Sequence, residues 1–253
     1  MSNWVVRAGS KGGHVYVSSS SVVLNTSVLH QSFDSLAANE GGAVFATATP
    51  DDADTTGLQL IESSISGARA AVGGAMYARF TTVLISQSSV AAGFATSFGG
   101  CLYIEVGRRC LPAIRCVFTL CPIVLQASRN TRVESSVFTH CAAVYDGGSM
   151  FLLETQAMVT DVSLMHNQAD LGAGVFVDSF SVLTATTSVF HSNEARFSGG
   201  GVHVNRLGSL HLIDCIVNGA CHMDAPLLAR ACSLCAPCHR QHSALRWWWS
   251  VAN

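Results

Sequence analysis

The sequence is short of charge: of 253 residues only 12% are Asp, Glu, Lys or Arg, and 14 basic against 16 acidic residues leave a formal net charge of −2. A chain so close to neutral has no basic field for a phosphate backbone, so nucleic acid is excluded as a partner. Proline occurs only five times, and glutamate and lysine are sparse, which argues against the amphipathic helices of helical repeat proteins. No run approaches ~18 uninterrupted apolar residues, so no transmembrane segment is expected even though 49% of the chain is hydrophobic and its mean hydropathy is +0.36. The Ser-His-Asp order, the nucleophile elbow and the phosphate loop are also missing.

What the sequence does have is a repeated glycine step followed by alternating apolar residues. It occurs as GGHVYV, GGAVFA, GGAMYA, GGCLYI, GGSMFL, GAGVFV and GGGVHV. The first glycines (Gly12, Gly41, Gly73, Gly99, Gly147, Gly172 and Gly199) are 29, 32, 26, 48, 25 and 27 residues apart. Self-similarity at a fixed period marks a solenoid or array. The spacing of 48 residues reads as two periods with one signature lost, the surviving half being CVFTLC at residues 116–121.

Upstream of each step lies a second signature, small-x-apolar-x-x-(Asn/Gly/Cys)-x-Ala. Ser188, Phe190, Asn193 and Ala195 fill its slots, as do Ser136, Phe138, Cys141 and Ala143, and Ser88, Val90, Gly93 and Ala95. Leu164, Asn167 and Ala169 form a further copy, Ser63, Ile65 and Ala68 a weaker one, and Cys215, Val217 and Ala220 a degraded last one.

Each unit offers about three short strands rich in Val, Ser and Thr, separated by glycine, asparagine or serine corners. The expected fold is therefore all-β: a single-stranded parallel β-helix solenoid over residues 1–220, in about eight or nine coils, with an irregular Cys-rich tail at 221–253. Strands stacking at ~4.8 Å make a rod on the order of 40 Å long. Glycine pairs suit corners where positive φ or close approach excludes a Cβ, and Gly200→Val is expected to damage the fold while Arg196 tolerates change. Asn167 and Asn193 suit another corner, because asparagine tolerates the left-handed conformation and stacked amides bond along the rod.

FHSNEARFSGGGV, with its Phe-x-x-Asn and Gly-Gly elements, resembles the repeats of chlamydial polymorphic outer membrane proteins. More broadly, residues 4 to 220 are similar to the pectin-lyase-like superfamily, including large surface proteins of protists. The resemblance implies a right-handed helix. It leaves activity open, since this fold serves lyases, hydrolases, adhesins and scaffolds.

The carboxylates that a polysaccharide-cleaving member needs are few. One cluster, Asp51, Asp52 and Asp54, falls in the longest insertion between repeats and misses the spacing of a calcium loop, so a solvated loop tip is its expected place. Arg108 and Arg109 are the basic residues that would face it across a coil. His140 and His166 share one slot in consecutive coils, where stacked imidazoles suit a metal, but a third ligand is missing at that slot and a polar outward corner is expected. Cys121 and Cys141 occupy one corner slot of coils expected to be adjacent, within disulfide reach, and small buried thiols packing in a ladder explain them equally well. In the tail, Cys232, Cys235, Cys238, His239 and His242 admit zinc or haem readings. CSLCAPC more closely resembles the start of a small disulfide-rich module, which is the reading preferred over a metal site. Trp247, Trp248 and Trp249 follow on an unaccompanied tail.

No catalytic, cofactor-binding or metal residue is therefore assigned. The opening WVVRAGSKGGHVYV reads as half a coil with no signal peptide ahead of it, so the chain is expected to be a segment of a longer surface protein. Together with the single NTS acceptor at Asn25 and the ten cysteines, this points to an extracellular or cell-surface scaffold or adhesion segment. Glycans or surface proteins are its expected partners. The alternative is a carbohydrate-active lyase or hydrolase using the Asp51 to Asp54 loop.

Overall fold

A computed structural model of the chain describes residues 15–19, 21–30, 38–49, 57–105, 130–178, 180–205, 207–218, 221–223 and 234–235. Every strand pairing among them is parallel, and no helix occurs in the described residues. The strands fall into four sheets, here numbered I to IV in the order the chain visits them after each glycine step. They hold eight, seven, eight and six strands respectively. One coil, for example, runs Met76–Arg79 (sheet I), Thr82–Ser86 (II), Ser89–Ala91 (III) and Phe94–Phe98 (IV) before Leu102–Glu105 starts the next. This is a parallel β-helix, as the repeat predicts.

Each coil has four strands where three were expected, and the corners explain the difference. VVLNTSVLH reads as one strand, but positive φ at Thr26 breaks it into Val22–Asn25 and Val28–His30. The glycine step likewise separates a sheet IV strand from a sheet I strand. At each of the four corners, residues with φ between about 40° and 70° make the turn, and only the step from sheet IV to sheet I regularly uses glycine for it.

The two glycines of a step have different jobs. Gly73 has φ +62°, and a Cβ there would run into the Met76 carbonyl oxygen. Gly74 has no such φ, yet its Cβ would meet the Gly100 carbonyl of the next coil. The first makes the turn and the second lets two coils approach.

The 48-residue spacing is not two periods. Leu102 pairs directly with Met150, and Val83 with Thr131, so successive rungs skip nothing. Residues 106–129 join a sheet I strand to the sheet II strand of the same coil and add no rung. The acidic run at Asp51 to Asp54 sits on the same kind of connection, between Val44–Thr47 and Gly57–Ile61. Both long connections therefore fall between a sheet I strand and the following sheet II strand, two coils apart. Past residue 220, Cys221–Met223 continues sheet I opposite Val202–Val204, and Leu234–Cys235 continues sheet III opposite Ile216–Val217.

Strand alternation sends one face of each sheet inward. Leu58, Leu60, Ile65, Met76, Ile85, Leu102, Ile104, Phe138, Leu152 and Phe190 are fully buried in one continuous core. The small slot of the second signature is a buried serine corner between sheets II and III. There the N–H of Ser63 donates to Ser88 Oγ (3.1 Å), and the N–H of Ser88 to Ser136 Oγ (3.1 Å). Its alanine slot forms a separate buried cluster, Ala95, Ala143 and Ala169 with Ala173.

The asparagine slot differs from expectation in one respect. His140, His166 and Ser192, one residue earlier, adopt the left-handed conformation, while Asn167 and Asn193 turn inward and are buried. Their amides do stack. Two coils earlier the slot holds Gly93, where a Cβ would lie 2.7 Å from Cys101 Sγ. Between them it holds Cys141, which is joined to Cys101 in a buried disulfide with Cα atoms 5.5 Å apart. The partner of Cys141 is therefore Cys101 and not Cys121, because the coil of Cys141 pairs directly with the coil of Cys101, Leu102 opposite Met150. Cys215 is also buried, its thiol donating to the Ile213 carbonyl at 3.3 Å.

Candidate functional site

Sheet I is buried on both faces. Val44, Ala46, Met76 and Ala78 point into the core, so the residues between them must point outward. Those outward positions hold Tyr16, Phe45, Tyr77, Tyr103, Phe151, Phe176 and His203, one per coil. Their rings stack in sequence with centroids 4.9 to 5.2 Å apart and planes within 10°. Each aromatic pair contributes ~0.5–1.5 kcal/mol beyond its burial. From Phe45 to Phe176 the rings are only 2% to 8% exposed. The signal was in the sequence as an aromatic or His four residues after the first glycine of all seven steps, but simple apolar alternation hid it.

An outward row can be buried only if something folds over it. Val72, Phe98 and Leu171, the last residues of sheet IV before the glycine turn, pack on the aromatic row. Outer faces of neighbouring sheets touch only where the corner between them is re-entrant, so sheets IV and I make a concave angle. In one coil the covering residue is Asp146, paired in register with Phe98 on one side and Leu171 on the other. Burial first, then the charges of Asp178 and Asp170, push its carboxyl up to about 6. Along the sheet I side lie Arg79 and Glu105, 3.3 Å apart, with Tyr77 Oη donating to Glu105 at 3.4 Å. Asp178 accepts from Asn205 Nδ2 at 2.9 Å.

Sheet IV adds bulges at this corner. Ala70 to Val72 spans two steps where Ala95 to Phe98 spans three, and Ala169 to Leu171 spans two where Ala195 to Ser198 spans three. Ala143 to Asp146 is also long. Bulges re-aim side chains. Here they carry Tyr145, 52% exposed and tilted against Phe98 at 5.9 Å, and Phe197, 67% exposed beneath the Arg196 guanidinium at 5.0 Å.

Of the residues singled out in the sequence, His140 and His166 are brought together, their rings stacking at 5.3 Å on the outer corner between sheets III and IV. His191 meets His166 edge-on at 6.3 Å and hydrogen-bonds Asn218. Among the described residues no group of three or more His, Cys, Asp or Glu is placed to hold a metal. Asn25 is exposed at a strand end, with Ser27 Oγ donating to its carbonyl. Asp51, Asp52, Asp54, Arg108, Arg109, Cys121, Cys232, Cys238, His239, His242 and the three tryptophans lie outside the described residues, and of Cys235 only the backbone position is known. Among the described residues no helix is long and apolar enough to cross a membrane. No protein family, curated protein or solved structure matches the chain.

Proposed function

We propose that this chain is a non-catalytic scaffold or adhesion segment working outside the cell or at its surface. The observation that carries the reading is unbroken register: the same slot recurs coil after coil in four sheets, giving long rigid outer faces on one continuous core. Such an object holds things at a distance or presents a surface. The buried Cys101–Cys141 disulfide supports an oxidising compartment. The order of the serine, asparagine and glycine slots supports placing the repeat with the pectin-lyase-like superfamily and its right-handed helices. Glycans or surface proteins are the proposed partners.

One observation favours a second reading, a carbohydrate-active enzyme. Asp146, half-buried with a carboxyl at about 6 beside Asp170 and Asp178, has the properties of a general acid. That centre would replace, or work with, the Asp51 to Asp54 loop. One experiment separates the readings: incubate the chain with acidic and neutral polysaccharides, with and without calcium, and follow chain length and new ends. Intact polysaccharide is the scaffold outcome. Cleavage that disappears in Asp146→Asn or Asp52→Ala overturns it. Antibody staining of unpermeabilised cells tests the surface location directly.

A further inference from the structure

The geometry points to a glycan-binding site on the bulged outer face of sheet IV, with Tyr145 and Phe197 as stacking platforms for a non-acidic sugar chain and Asp170 between them. This rests on the scaffold reading and gives its adhesive surface a position and a ligand class.

Placement is the first argument. Tyr145 and Phe197 are both the extra residue of a bulge, on coils two rungs apart, which is ~10 Å along the rod. The coil between them has no bulge, so the surface dips there. Asp170 occupies that dip, and its backbone N–H donates to the Tyr145 carbonyl at 2.7 Å. Two aromatic rings separated by a polar step match a sugar chain, whose rings offer C–H faces for stacking and whose hydroxyls need acceptors between them. Each ring is held on one side, Tyr145 against Phe98 at 5.9 Å and Phe197 by the Arg196 guanidinium at 5.0 Å, and more than half of each remains exposed.

Charge selects the kind of glycan. Asp170 and Asp178 both oppose a charge on Asp146 at this corner, and Arg196, 4.0 Å from Asp170 with a side chain 74% exposed, offsets only one of the three carboxylates. A uronate or sulfated chain would add to that repulsion. A neutral chain does not, and one carrying amino groups relieves it, so affinity should rise from acidic to neutral to amine-bearing sugars.

The test is titration calorimetry of the full chain with a β-1,4-linked glucosamine hexasaccharide, a neutral glucose hexasaccharide and an oligogalacturonate. The glucosamine chain should bind best and the galacturonate worst. Tyr145→Ala with Phe197→Ala should weaken binding by at least ~10-fold, whereas Phe180→Ala, an aromatic on another corner, should change it by less than ~2-fold. Thermal melting checks that the variants fold, and Phe197→Ala alone, which removes an exposed ring, serves if the double variant does not. Asp170→Asn should erase the preference for amines while leaving the neutral chain bound. Unchanged affinity in the aromatic variants, no binding of any glycan, or a preference for galacturonate overturns the proposal. So does sedimentation showing a wild-type dimer that the double variant loses, because the face would then serve a second copy of the chain. Chromatography of the recovered sugar keeps the two claims apart. Shortened glycan sinks the non-catalytic reading and leaves the site standing, whereas intact, unbound glycan sinks the site alone.

Discussion

Asn167 Nδ2 donates a 2.9 Å hydrogen bond to Asn193 Oδ1 in the next coil, with both side chains buried. The contact sits in a ladder: the Cys141 N–H donates to Asn167 Oδ1 (2.9 Å), the Asn167 N–H to Asn193 Oδ1 (3.1 Å), and Asn193 Nδ2 to the Leu164 carbonyl (2.9 Å). Asn167→Ala would leave the buried Cys141 N–H without its acceptor and remove a donor from the Phe138 carbonyl (3.3 Å), while Asn193 Oδ1 keeps the N–H of residue 167. One orphaned buried N–H costs ~1–3 kcal/mol, so a loss of about 2 kcal/mol is expected in urea unfolding. Asn→Ala at exposed Asn25 should change little, and equal effects at the two sites would refute the ladder.

The paired glycines should respond to one methyl group. Gly73→Ala places a Cβ at positive φ against a backbone carbonyl, and Gly74→Ala drives one into the neighbouring coil. Neither obstacle is a flexible side chain, so each should cost at least ~2–3 kcal/mol or prevent folding. In the last such coil Gly199 has φ +70° and a Cβ there would lie 2.7 Å from the Val202 carbonyl oxygen, so Gly199→Val should be worse still. Gly57→Ala is the control, because its nearest neighbours are the hydroxyls of Thr82 and Ser21 at 3.1 and 3.6 Å. Soluble yield and melting temperature decide the matter.

The fold was legible because a solenoid writes its rules once per coil. Ser88, Val90 and Ala95 announce a corner, an inward residue and a tight contact whatever lies elsewhere in the chain. Strand count was not legible, since the left-handed turns at Thr26 and Ala92 use residues with no special preference for them; stacking on the coil next door holds them there. The aromatic row was visible and misread, because alternation tells which residues share a face but not that a re-entrant corner buries the outer one. Asp146 was hidden for the same reason. The Cys101–Cys141 bond was out of reach because it depends on residues 106–129 adding no rung.

That disulfide spans a sequence separation of 40 residues. Cross-linking a loop of that length removes unfolded-state entropy worth ~4 kcal/mol in the chain-entropy view, and measured values usually fall at ~2–4 kcal/mol. Cys101→Ser with Cys141→Ser should lower stability by that amount. Dithiothreitol should destabilise the parent chain similarly and leave the double variant unaffected. Parent and variant melting together under oxidising conditions would show that the bond does not form.

Asp146 should give the fold a pH dependence of identifiable sign. Its carboxyl lies at about 6 in the folded chain against an ordinary 3.8, so folding favours the protonated form. The stability it provides is fully present below about pH 4 and lost as pH rises through 6. Asp146→Asn should remove that slope. Because the side chain is only half-buried, the variant's advantage above pH 6 should be about 1 kcal/mol rather than the full linkage value. Subtracting the two stability curves isolates this carboxyl from the others, and parallel curves would contradict the assignment.

Tyr77 and Tyr103 provide the alkaline counterpart. Burial within the stack, followed by the charge of Glu105, holds both phenols well above the ordinary tyrosine range. A raised phenol favours the folded state below about pH 10 and withdraws that support above it, because the unfolded chain ionises first. Of the four tyrosines, these two should stay protonated until the coil opens. Tyrosinate absorbance in the native chain should therefore include a late stage that coincides with loss of the β-sheet circular dichroism and is missing in urea. Tyr103→Phe keeps the ring in the stack and removes one ionisable group, so it should shrink the late stage by about half and push alkaline unfolding to higher pH. A single early stage in the native chain would mean that the aromatic row is open to water, and the re-entrant corner between sheets IV and I would have to be abandoned with it.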